Sequence, residues 1–150
     1  MFIAITLHVL SAVLWVGGMF FAYVCLRPVA ASLLEAPARL TLWLQTFQRF
    51  FVWVWAAVAL LPVTGFLMIH YLGGMAAVGK HVHIMLLLGL IMIAIFMHVY
   101  FAHYFKLQKA VATQNWPAGG EQLNKIRRLV GVNLVLGLIT IIVAVAGRWI

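Results

Sequence analysis

Four long apolar stretches dominate this sequence, and each is long enough to cross a bilayer, which takes about 20 mostly apolar residues as a helix. They run over about residues 2–26, 50–72, 81–105 and 129–147. The first stops at Arg27-Pro28 and the second at Gly73-Gly74. The first is not read as a cleavable signal: it lacks a basic leader, is too long, and carries a histidine and a Trp-Gly-Gly. Apolar residues make up 67% of the chain and charged residues 8%, against about a quarter charged in soluble domains. Such a chain cannot cover a water-facing surface, so a soluble fold is excluded. The same arithmetic excludes a collagen, a coiled coil, a disulfide scaffold and a disordered tail. Cys25 is the single cysteine and cannot form an internal disulfide.

The net charge of +8 would suggest nucleic acid in a soluble protein. Here the positive-inside bias explains it better, so no nucleic-acid partner is expected. Arg27, Arg39 and Arg49 flank the link between the first two spans, and Lys106, Lys109, Lys125, Arg127 and Arg128 flank the link between the last two. Only Lys80 and Arg148 lie on the opposite side. Both long links therefore face the cytoplasm and both termini face outward.

The long links read as helical extensions. Pro37 suits a first helical turn, and Leu40, Leu44, Phe47 and Phe51 recur after it at helical spacing. Helix two is expected to start near Ala38. Asn115-Trp116-Pro117-Ala118-Gly119-Gly120 reads as a break between helices three and four. The short link from Gly73 to Lys80 makes helices two and three antiparallel neighbours. No internal repeat is evident. The predicted architecture is an all-α integral membrane protein, a single antiparallel four-helix transmembrane bundle over residues 1–150.

The histidines carry the most chemical information, because ionisable side chains inside a membrane are costly and usually line a bundle interior or a functional site. His8, His70, His81 and His83 all fall near the outer ends of their helices. At about 100° per residue, His8, Ser11, Ala12, Trp15, Gly18, Met19 and Ala22 share one face of helix one. On helix four, Asn133, Gly137, Thr140, Ala144 and Gly147 form a stripe of small and polar residues that permits close approach. His81 and His83 are about 200° apart on their helix and cannot point into one site. The deeper His83 is the better ligand candidate, with His81 interfacial, or an entry residue or a partner that supports a ligand. His8, His70 and His83 are thus the expected metal or cofactor ligands, with Trp15 beside them.

The bland alternative is that each histidine only packs or sits at the interface. That reading is preferred for His98 and His103, which have no histidine partner at the inner ends of the other helices. Tyr100 and Tyr104 look like an aromatic belt, and Trp53 and Trp55 like interfacial anchors. Most methionines read as gap-fillers, although Met68, Met75 and Met85 are placed to serve copper near the outer side. Pro62 is expected to kink helix two, with Thr64 or Gly65 absorbing the freed backbone group.

Glu35 and Glu121 both fall in cytoplasmic links, so no span holds a carboxylate for a proton relay or a metal. No Ser-His-Asp set, Walker loop or dinucleotide fingerprint is present. Imidazole suits both iron and copper. Two histidines from different helices can clamp a b-type heme, with Ala12, Gly17, Gly18, Gly137 and Ala144 leaving the gap and Lys80 and Arg148 facing its propionates. Copper would use the same histidines with methionine. Donors along the whole span would suit a conduit; their outer clustering favours a fixed site.

The stretch from Leu7 to Gly18, with its His8 followed by Trp15-Val16-Gly17-Gly18, resembles the first span of the copper resistance protein D (CopD) family, and Thr64-Gly65 in the second span fits that family's pattern. The resemblance implies a multi-pass protein of the bacterial inner membrane linked to copper uptake or resistance, with His8 the residue that carries over most directly. The chain is also similar to HemJ-type protoporphyrinogen oxidases, which have a first-span histidine followed by Trp-x-x-Gly and associate with heme. It departs from them in reading Arg27-Pro28 rather than Pro-Arg, and His81-Val82-His83 without a lysine.

The leading expectation is a heme b protein with His8 and either His70 or His83 as axial ligands. It would transfer electrons or oxidise a quinol, superoxide or a porphyrin, with quinone or another redox protein as partner. The alternatives are a copper-binding or copper-uptake protein, and a non-catalytic assembly or scaffold subunit. Membrane lipid surrounds any of these, and the small-residue helix faces allow a homodimer.

Overall fold

The hydrocarbon core of a bilayer offers no water, so backbone polar groups there must pair within their own helix. The computed structural model, which describes residues 1–147 and 149, meets that demand with four long helices. They are α1 (Phe2–Leu33), α2 (Ala36–Tyr71), α3 (Lys80–Ala112) and α4 (Trp116–Ala146), each long and apolar enough to cross a membrane. No strand occurs among the described residues. The protein is an all-α four-helix membrane bundle. Arg148, expected to face a cofactor, lies outside the described residues.

All four helices outrun the stretches read from hydropathy. Helices of 31 to 36 residues reach about 46 to 54 Å, against roughly 30 Å of hydrocarbon. The excess projects at the end that carries most of the lysines and arginines, the basic end. The opposite end holds the Gly73–Gly79 link and is the loop end. There Gly73 and Gly74 adopt φ of 98° and 92°, left-handed backbone that glycine tolerates without steric penalty.

Two expected stops are not stops. α1 continues through Arg27-Pro28 by way of a π-helical segment, Phe21–Leu26, in which the Arg27 amide donates to the Ala22 carbonyl five residues back. A proline ring inside an α-helix clashes with the carbonyl four residues earlier. A wider turn just before Pro28 relieves that clash, and the helix runs on to Leu33. Likewise, most of the Asn115–Gly120 cluster is helix. Asn115 caps α4, its side chain accepting from the Ala118 amide at 3.3 Å. Pro117 occupies the first turn, where its missing N–H costs nothing. Only residues 113–115 leave the helix, and Gly119 is buried against Leu40.

α1 packs most closely on α2, and α3 on α4. The α3–α4 register is fixed by Asn133, whose Nδ2 donates to the Met92 carbonyl at 3.3 Å. His103 and Gln122, 2.9 Å apart, hold the same antiparallel register near the basic end. α2 and α3 meet instead through large aromatic rings. Phe51 sits edge-on to Phe96 at 5.4 Å and to Tyr104 at 5.1 Å, and stacks on Phe47 at 5.1 Å. Trp55 packs on Phe96 and Tyr100. Tyr104 is therefore a core residue of the basic half rather than a member of a belt, and half-buried Trp55 packs against that core. Trp53 is exposed, as an anchor would be.

The charge bias and this topology together give a direct test of orientation. With Cys25 replaced by serine, a cysteine at Met75 in the α2–α3 link should react with a membrane-impermeant maleimide in intact cells. A cysteine at Gln114 should react only after permeabilisation. The reverse pattern would invert the bundle.

Candidate functional site

His8 lies about six residues inside the loop end of α1, at a depth where an imidazole needs a partner. α2 supplies one. His8 Nδ1 is 2.8 Å from Thr64 Oγ1. Gly65 lies beside the ring, where a Cβ would meet His8 Cε1 at 3.5 Å, an ordinary van der Waals contact. The direction of the hydrogen bond follows from the rest of the Thr64 contacts. Thr64 Oγ1 is 2.6 Å from the Leu60 carbonyl, and a carbonyl only accepts, so the hydroxyl proton is committed there. His8 must then donate through Nδ1–H. A hydrogen bond at one ring nitrogen decides which nitrogen stays free; here Nε2 keeps its lone pair and is the nitrogen able to bind a metal. Thr64 is also 3.3 Å from the Leu61 carbonyl. Its partners are thus not the Val58 carbonyl that Pro62 leaves without an amide donor.

His8, His70 and His83 do not form a three-ligand cluster among the described residues. No group of three or more His, Cys, Asp or Glu side chains able to hold a metal forms among the described residues. His70 is exposed. It follows Thr64 by six residues, which on a helix is about 240° of rotation, so a face that gives Thr64 to His8 turns His70 away. His83 is also exposed, with Nδ1 3.2 Å from the Gly79 carbonyl. The relative burial of His81 and His83 is the reverse of the expectation. His81 is half-buried, and a side chain at either Gly79 or Gly147 would collide with it. It turns inward because α3 packs on α4, and the phase that buries Met92 and Phe96 carries His81 with it. Lys80 is exposed at the start of α3.

Of the small residues expected to leave room for a porphyrin, Gly18 and Gly137 are used for packing, whereas Gly17 faces open space. A Cβ at Gly137 would lie 2.8 Å from Val16 and 3.2 Å from Met92, and one at Gly18 would run into the Phe50 ring. Trp15 is buried in the core, edge-on to Phe96 at 6.1 Å. It lines a cavity of about 20 Å³ with Met19, Phe51 and Asn133, a space that suits about one water molecule. The buried Asn133 Oδ1, which has no hydrogen-bond partner, would be satisfied by one. The packing therefore does not fit a heme between α1 and α4.

One pair escaped the sequence reading. His98 and His103 lie with ring centroids 5.0 Å apart at 86°, inside and just before the π-helical segment Val99–Tyr104. In an α-helix residues five apart diverge by about 140°, so the spacing gave no sign of a pair. The signal available was only that both sit in one helix near the basic end.

The architecture and the half-buried imidazoles define a multi-pass helical membrane protein whose interior offers nitrogen and sulfur donors rather than carboxylates. The sequence pattern of the copper resistance protein D family matches residues 44–146, and the chain belongs to that family. The matched region takes in α3, Thr64 and five of the six histidines; His8 and the Trp-Gly-Gly of α1 lie outside it. The family places the chain among copper-related membrane proteins and gives no support to the HemJ-type resemblance. No curated protein and no solved structure matches the chain.

The His8–Thr64 contact should be visible in stability. Thr64→Val keeps the shape but leaves the Nδ1–H of His8 unpaired, which costs about 1–3 kcal/mol. Thr64→Ser should stay near the parent value. Unfolding of the detergent-solubilised protein reads the difference.

Proposed function

We propose that this protein binds copper in the bacterial inner membrane, at a site in the outer half of the bundle built around His8. Membership of the copper resistance protein D family over residues 44–146 carries the reading. The donor chemistry supports it. His8 offers a free Nε2, because Thr64 occupies its other nitrogen. Met68 lies one turn from Thr64 towards the loop end, on the same face of α2, and a thioether suits Cu(I). His81 and Met85 are likewise one turn apart on α3, with His81 turned towards α4 near the mouth of the bundle. The ordinary ends of the spans bring the ion near: with the basic end in the cytoplasm, these donors face the side from which extracytoplasmic copper arrives. Imidazole and thioether without carboxylate would select copper over magnesium, calcium or manganese.

The test is copper loading of the detergent-purified protein under reducing conditions, with metal analysis and an absorption spectrum on the same sample. Retained copper that falls at least tenfold in affinity in His8→Ala and is weakened in Met68→Leu is the expected result. Cells carrying His8→Ala should also differ from the parent in copper tolerance. Copper retention unchanged by His8→Ala would overturn the site. A reducible b-type spectrum without copper would overturn the copper reading in favour of heme.

A further inference from the structure

We propose that His98 and His103 form a second metal site, a bis-imidazole clamp for a first-row transition-metal cation at the basic end of the bundle. The π-helical turn is what creates it. Its wider winding brings residues five apart onto one face, and it places the two rings within 5.0 Å. π-turns are rare and recur at functional sites; this one produces a paired-imidazole motif that an α-helix with the same sequence would take apart.

The surroundings prepare one of the rings. His103 Nδ1 lies 2.9 Å from Gln122 Oε1. The amide oxygen only accepts, so His103 donates through Nδ1–H and leaves Nε2 as the ligand atom. That is the arrangement in which a metal-binding histidine is oriented by a partner on its other nitrogen. His98 is exposed, and its ring can rotate to present a nitrogen to an ion that His103 holds. A metal–imidazole bond is about 2.0 Å long, so two rings already in contact need only side-chain rotation to share an ion.

Depth agrees with access. The α3–α4 register sets His103 level with Gln122. Gln122 precedes the apolar part of α4, which opens at Leu129, by seven residues, or about 10 Å along the helix. The pair therefore sits where α3 emerges from the bilayer, open to water and headgroups. Lys125, Arg127 and Arg128 on α4 and Lys106 on α3 are the cations nearest in register. No acidic residue stands at this level except Glu121, which pairs with Lys125 at 2.7 Å. The site thus offers imidazole without carboxylate in a cationic neighbourhood, which disfavours weakly held alkaline-earth ions and leaves binding to metals with true imidazole affinity, in the order that puts copper highest. The choice of copper as the physiological ion rests on the copper reading above; the clamp itself rests on geometry.

Cu²⁺ alone, added to the full-length protein in detergent, is the probe, with pulsed electron paramagnetic resonance to count coordinated imidazoles. The parent should show a centre with two imidazoles. His98→Ala and His103→Ala should each reduce it to at most one and weaken binding at least tenfold. Gln122→Leu should weaken it by about 10- to 100-fold while both imidazoles remain. Because His98 is exposed, its alanine variant should keep the parent unfolding temperature, which checks the fold independently. A two-imidazole centre that survives His98→Ala, or an ion lost in His8→Ala but not in His98→Ala, would overturn the clamp; the second result would leave the outer copper site standing. Copper lost in neither variant would overturn both.

Discussion

A polar side chain within a bilayer has no water to fall back on, and the hydrogen bond it finds there fixes much else. The contact between His8 and Thr64 is the clearest case in this bundle. It joins the first two helices at the depth where both are apolar. Gly65 packs against the ring at ordinary contact distance. It draws on the same threonine that bonds back to the Leu60 carbonyl in the turn that holds Pro62, so that turn of α2 and His8 on α1 are one local structure. Because the threonine proton is committed to a carbonyl, the histidine can be held only as a donor, and its remaining nitrogen is released for chemistry. Asn133 plays the corresponding part between α3 and α4, donating to the Met92 carbonyl.

The helices themselves are shaped by two local widenings. Both π-helical segments, Phe21–Leu26 and Val99–Tyr104, lie towards the basic end, where the helices leave the hydrocarbon and extra turns can be accommodated. One carries α1 past Pro28. The other turns the aromatic and histidine faces of α3 relative to its outer half, so that Val99 and Tyr104 are buried while His98 and His103 meet. The loop end therefore holds isolated imidazoles with separate partners, and the basic end holds a pair.

Hydropathy and charge made the four helices legible, since an apolar run of bilayer length has few alternatives. Helical phase also succeeded where the helix was regular: Ser11, Trp15 and Met19 are buried with half-buried His8 on one face, as the 100° rule requires. It failed where partner choice mattered. Phase alone could not say that Thr64, rather than His70, is the α2 side chain that meets His8, because that depends on which face α2 gives to α1. It could not say that α3 turns His81 rather than His83 towards α4. Gly18 and Gly137, which small-residue spacing marks as room for a porphyrin, are instead the places where Val16, Phe50 and Met92 interlock. The π-turn at Val99–Tyr104 has no sequence signature in hydropathy, so the His98–His103 pair was hidden by an assumption of regular winding.

The central claim is that Thr64 holds His8 as the Nδ1–H tautomer with Nε2 free for copper. Ring-nitrogen chemical shifts of the protein labelled with ¹⁵N-histidine, assigned by loss of one signal in His8→Gln, measure this directly. The account predicts a protonated Nδ1 and an unprotonated Nε2 for His8 without metal, and the larger shift at Nε2, with Nδ1 still protonated, when Cu(I) is added. A protonated Nε2 in the metal-free protein, or loss of the Nδ1 proton on copper binding, would contradict it.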